Sequence, residues 1–120
     1  MTRVNLIHPE QLCDQHLLAE HREIKRIPNC IYKYKHDIPD KYVLGPGHVK
    51  FFLNKQFFLY KRYIDIYEEC RRRGFKVNWL WPNVNIPIDL WNNYKPTPQA
   101  IRLNLNRIIE RLPKNARWTS

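Results

Sequence analysis

The sequence predicts an all-α fold in which three main helices share one core, and three observations carry that reading. Apolar residues recur at helical spacing in three separate segments. Proline, glycine or threonine stands where each segment should begin or end. Short alternating runs of the kind that form strands are few. At 120 residues the chain makes one domain with a single modest core, and no repeat, low-complexity tract or linker divides it.

The first segment, residues 2–7, is too short for a helix and leads into His8 and Pro9. A helix is expected from Pro9 or Asp14 to Arg26 or Ile27, with Leu12, Leu17, Leu18, Ile24 and Ile27 on its apolar side and Pro28 as its stop. Residues 29–46 read as irregular and basic. The longest helix is expected from His48 or Asn54 to Arg73, closed by Gly74. Leu53, Phe57, Tyr60, Ile64 and Tyr67 form one apolar row on it, with Phe52, Leu59, Tyr63, Ile66 and Cys70 beside them. So wide an arc predicts burial against two neighbours. Residues 76–96 hold Trp79, Trp81 and Trp91 with three prolines, which predicts a long loop packed through its rings. The third helix opens at Thr97-Pro98, a cap followed by proline in the first turn. Its expected buried stripe is Ile101, Leu105, Ile108 and Leu112, and Pro113 ends it.

Charge narrows the function. Twenty-one Lys and Arg face eleven Asp and Glu, a formal net charge of +10. A surplus of that size on a small body favours anionic polymers, nucleic acid first and an anionic membrane surface second. Residues 41–62 carry five basic side chains and no acidic one, and residues 91–120 carry six against Glu110 alone. Phosphate binding is the functional reading of that imbalance, and solubilising surface charge the bland one. Three glycines are too few for a Rossmann fingerprint or P-loop. No apolar run reaches membrane-span length, and no signal-peptide stretch opens the chain, so an intracellular, soluble protein is expected. Cys13, Cys30 and Cys70 are odd in number and widely spaced, so neither a disulfide framework nor a metal site is expected; they read as small hydrophobes.

Two features near the N-terminus carry chemistry. Methionine before threonine is normally trimmed, which would expose the Thr2 α-amine. Its intrinsic pKa is roughly 7.7 to 8, against about 10.4 for lysine, so near neutrality its free-base fraction is about two orders of magnitude larger. Neighbouring Arg3 would lower that pKa further. Such an amine attacks electrophilic carbon and forms Schiff bases, the chemistry of a lyase. On the first helix, His16 and Glu23 share one face two turns apart, and Arg22 and Arg26 frame the Glu23 carboxylate. Taken alone, that framing reads first as an exposed ion pair of little energetic value and only second as a catalytic carboxylate.

Specific residue combinations then go further. Thr2, Arg3, Val4, Asn5 and Leu6, then Asp14, Gln15, His16 and Leu17, Ala19-Glu20, Arg22-Glu23 and Arg26 form one block. Leu44-Gly45, Gly47-His48-Val49, Phe51-Phe52, Phe58-Leu59, Lys61-Arg62, Glu69-Cys70 and Arg73-Gly74-Phe75 form a second. In order and spacing these resemble the pyrimidine-dimer DNA glycosylase/AP lyase family. The resemblance implies a compact three-helix protein whose N-terminal arm threads between the helices. It implies attack of the Thr2 amine on C1′ of the damaged nucleotide, release of the base, and β-elimination through a Schiff base. Glu23 becomes the essential carboxylate beside Thr2. Arg3, Arg22 and Arg26 hold phosphates around a kink, and Gln15 and His16 line the site near the sugar. Damaged double-stranded DNA is the implied partner of a monomer that needs no metal or cofactor. Dimer recognition rests largely on deformability and an extrahelical base.

The departures lie at the end of the chain and in one loop. In the family's founding member the C-terminal tail is a cluster of Trp, Tyr and Lys, whereas Trp118 is the only tryptophan of the tail here. The loop holding Lys33, Lys35 and His36 also differs. His48 reads as a packing or capping residue first and a phosphate contact second. Two alternatives stay open: a non-catalytic, architectural DNA-binding protein, and the same chemistry on a different pyrimidine lesion.

Overall fold

The computed structural model of the chain describes residues 3–33 and 37–120, so the expectations for Thr2, Lys35 and His36 lie outside the described residues. Its α-helices are α1 (Asp14–Glu23), α2 (Arg26–Asn29), α3 (His48–Phe51), α4 (Gln56–Arg72) and α5 (Pro98–Glu110), with no strand among the described residues. The three of ten residues or more are the predicted main helices; α2 and α3 are single turns.

The first predicted helix is interrupted. A continuous helix would drive the Pro28 ring into the carbonyl four residues back, that of Ile24. The chain instead breaks at Ile24 and Lys25, and the Ile24 carbonyl accepts the Ile27 N–H at 3.2 Å. Pro28 therefore does not stop the helix; it sits in the first turn of α2, where no N–H is needed. The second predicted helix likewise divides at residues 52–55 into α3 and α4.

The expected helix ends are built as their residues require. Gly74 has φ +88°, Phe75 N–H donates to the Cys70 carbonyl at 2.9 Å, and Gly74 N–H donates to that of Arg71 at 3.0 Å. Those two bonds satisfy carbonyls at the end of α4. At the start of α5, Thr97 Oγ1 accepts the Ala100 N–H at 3.1 Å.

Helix α4 is buried on two sides, as its wide apolar arc predicts. Leu59, Tyr63, Ile66 and Cys70 join Leu17, Ile24 and Ile27 in the core. Phe57, Tyr60 and Tyr67 are half-buried under the tryptophan loop: Trp79 lies 5.1 Å from Tyr67, and Trp91 lies 5.4 Å from Phe57, between ring centroids. The loop is held by Leu80 N–H donating to the Tyr63 hydroxyl at 2.8 Å.

Helix α5 departs from expectation. Its buried residues are Ala100, Asn104 and Ile108, while Ile101, Leu105 and Leu112 are 36%, 39% and 42% exposed. The reason is its neighbour. An extended arm packs against α5, and the arm presents peptide groups as well as side chains. Asn104, fully buried, answers it by accepting the Leu6 N–H at 2.8 Å and donating to Asn5 Oδ1 at 3.0 Å.

Candidate active site

The arm emerges through a set of side-chain clamps. Each successive peptide N–H from Val4 to Leu6 meets an acceptor on a different helix. Val4 N–H donates to His48 Nε2 of α3 at 2.9 Å, Asn5 N–H to Glu20 Oε2 of α1 at 3.3 Å, and Leu6 N–H to Asn104 of α5. The Asn5 amide also donates to Glu20 Oε1 at 2.8 Å. From α4, Arg62 closes the arrangement with Nε and Nη2 bonds to the two Glu20 oxygens at 2.8 and 3.0 Å, and donates through Nη1 to the Ile7 carbonyl. Two buried charges are costly unless paired and fully hydrogen-bonded. Glu20 accepts four bonds here, so its charge is committed to holding the arm.

One turn later on α1, Glu23 has the opposite situation. It is half-exposed and makes no ion pair among the described residues. It lines a cleft of about 170 Å³ with Arg3, Asn5, His16, Ala19 and Glu20. The cations nearby are gathered from separate elements. Burial, followed by repulsion from Arg107 of α5 and from Arg111 just past its end, lowers the Arg3 pKa, while the Glu23 carboxylate acts to raise it. Guanidiniums held close enough to repel one another are stabilised by an anion between them, and phosphate oxygens fit that demand. His16 Nε2 lies 3.1 Å from the Arg111 carbonyl, which can only accept, so neutral His16 carries its proton there. Its Nδ1 is buried, with no hydrogen-bond partner among the described residues.

The sequence-predicted residues therefore divide. Arg3, His16 and Glu23 meet in the cleft. Gln15 is turned to the C-terminal tail: its amide donates to the Asn115 carbonyl at 2.8 Å, and its oxygen accepts the Arg117 N–H at 3.3 Å. Arg22 and Arg26 are exposed, are not among the residues lining the cleft, and form no ion pair with Glu23. His48 is 2% exposed and bonded to the arm, which removes it from phosphate contact.

The helix that carries the acids is itself pinned at its N-terminus. Arg73 donates to Asp14 Oδ1 at 2.9 Å, to Glu69 Oε2 at 2.7 Å, and to the carbonyls of Pro9, Glu10 and Leu12. The Arg72 and Arg73 guanidiniums outweigh burial and hold the Glu69 carboxyl below the usual carboxylate range. For Asp14, burial pushes the pKa up, but bonds from Thr119 and Arg73 prevail and lower it. Trp118 donates its indole N–H to the Gln11 carbonyl at 3.1 Å, so the tail closes over the same end of α1.

A family model described as pyrimidine dimer DNA glycosylase matches residues 1–83. The chain belongs to that family. Membership implies a DNA-repair glycosylase and a DNA substrate. The matched region takes in every residue lining the cleft and stops before α5. Arg107, Arg111 and Asn104, which sequence reading did not single out, therefore come from outside the match and complete the surroundings of the arm. Glu20, Arg62, Asn5 and His48 did stand within the resembling blocks; their signal was an exact residue type in a family motif, with no pattern of hydrophobicity to explain it. No helix of the described residues is long and apolar enough to cross a membrane.

Proposed function

We propose that the protein excises cyclobutane pyrimidine dimers from duplex DNA, using the Thr2 α-amine as nucleophile and Glu23 as the assisting carboxylate, and then cuts the strand by β-elimination. The amine attacks C1′ of the 5′ pyrimidine nucleotide, and the electron pair of the glycosidic bond leaves with the base. Glu23 counters the positive charge that develops on the sugar. Loss of the amine proton and opening of the sugar ring give the Schiff base. Removal of a C2′ proton then expels the 3′ phosphate. No metal or cofactor enters these steps, and a monomer suffices.

The observation that carries this reading is the contrast along one wall of the cleft. Glu20 is neutralised by Arg62, whereas Glu23, three residues on, has no cation paired with it among the described residues and faces the same space. A carboxylate kept out of ion pairs is available to a cation that appears only during reaction. The arm supports the same reading, because Val4 is tethered between the cleft-lining Arg3 and Asn5, and a chain of two residues spans at most about 7 Å. Arg3, Arg107 and Arg111 supply the phosphate contacts, with Arg22 and Arg26 extending them along α1 and α2.

Nicking of ultraviolet-irradiated duplex in the presence of a chelator tests the proposal. Cleavage at dipyrimidine sites, with undamaged duplex left intact, is the expected result. Salt-sensitive binding with no cleavage of irradiated or abasic duplex would make the protein a non-catalytic DNA binder. Cleavage of abasic but not irradiated duplex would move the activity to another pyrimidine lesion.

A further inference from the structure

Among the arm's clamps, the one nearest its amino end is a histidine with a defined proton. The Val43 carbonyl lies 2.9 Å from His48 Nδ1 and can only accept, so Nδ1 carries a hydrogen. The Val4 N–H can only donate, so Nε2, 2.9 Å away, is bare. His48 is thus neutral and fixed in one tautomer. Its ring is buried against Tyr42 and Phe52, with centroids at 5.4 and 5.3 Å. The close approach of Val43 is built in by Gly47, where a Cβ would come within 2.8 Å of Val43 Cγ2.

We propose that His48 is a positioning residue for the nucleophile: by accepting the Val4 N–H it sets the register in which the chain's amino end is presented to Glu23. The inference rests on the reading of Thr2 given above and extends it to a residue that touches neither DNA nor the reacting atoms. Glu20 and Asn104 fix Asn5 and Leu6, but Val4 is the clamped residue closest to the amine; its side chain is buried in the core, and its peptide N–H is held by this bond. Misplacing a reacting group by about 1 Å can cost as much as 10²-fold in rate. Protonation of His48 would convert its acceptor into a donor and expel the Val4 N–H. Burial disfavours that protonation most, and Arg3 of the arm opposes it too. The Val43 carbonyl and Glu20 of α1 favour it, while Tyr42 packs on the ring as a neutral phenol.

The test compares His48→Leu and His48→Gln with the unaltered protein, by borohydride trapping on duplex carrying a preformed abasic site. Gln keeps an acceptor near the Nε2 position; Leu does not. At saturating duplex, His48→Leu should trap at least about tenfold more slowly. Its duplex affinity should stay within about twofold, and His48→Gln should recover to within about threefold. A folded His48→Leu that traps at the unaltered rate overturns the role of His48 and leaves the nucleophile in place. Absence of any adduct with the unaltered protein overturns the nucleophile and this inference together. Should neither variant fold, nitrogen-15 spectra of the unaltered protein decide. A bare Nε2, with a Val4 amide that moves as His48 titrates, supports the role. A proton on Nε2 near neutral pH, or a Val4 amide that ignores His48, overturns it.

Discussion

Two carboxylates one turn apart on α1 line the same cleft and live in different electrostatic worlds. Glu20 is 3% exposed and saturated by Arg62 and Asn5; Glu23 is half-exposed and makes no ion pair among the described residues. The difference follows from position. The inner residue meets α4 and the arm, where a buried charge persists only with complete compensation. The outer residue meets solvent and the rim of arginines, where a charge needs no partner. One acid is consumed in holding the arm, and the other keeps its charge outside any ion pair among the described residues.

The largest effect should come from Glu20. Replacing it by Gln leaves Arg62 buried without its counter-charge, which should cost about 3 to 5 kcal/mol of stability, read by denaturant unfolding. A variant of native stability would erase the distinction between the two acids. Glu23→Gln should do the reverse. Its unfolding free energy should move by no more than about 0.5 kcal/mol, and duplex binding should persist. Base release should fall by about 10²-fold or more. Retained release would remove Glu23 from the reaction.

The comparison also explains what could be read from the sequence. Thr97-Pro98 and Gly74 act through their own backbone geometry, so the ends they mark were legible without knowledge of the fold. The wide apolar arc of α4 was legible for a similar reason, since its two coverings both bury rings. The stripe of α5 was not, because periodicity assumes an apolar neighbour and the neighbour here is an extended arm answered by Asn104. Nor could spacing separate Glu20 from Glu23. The partner that distinguishes them, Arg62, lies 42 residues further along the chain. Arg107 and Arg111 were hidden likewise, as basic residues among six in the last thirty.

Smaller effects sharpen the picture of the rim. Arg107→Gln and Arg26→Gln should each weaken duplex binding and flatten the plot of log K against log salt by about 0.9 for each phosphate left unneutralised. An unchanged slope for Arg26 would leave it as surface charge, while a flatter slope for Arg107 alone would place the phosphate path over α5. The smallest effect concerns the pH dependence of the α1 anchor. The pKa values of Asp14 and Glu69 are depressed in the fold, so their stabilisation is present above about pH 4 and is lost as pH falls through the folded values. Thermal melts should hold steady above that pH and drop below it. A melting temperature unchanged down to about pH 2 would deny the Arg73 network that role.

The most direct measurement is the site of the covalent bond. Borohydride reduction of the reaction with damaged duplex, followed by peptide mapping, should place the DNA remnant on the α-amine of Thr2 in chains lacking Met1. A remnant on a lysine side chain, or full turnover by a protein blocked at that amine, would contradict the account.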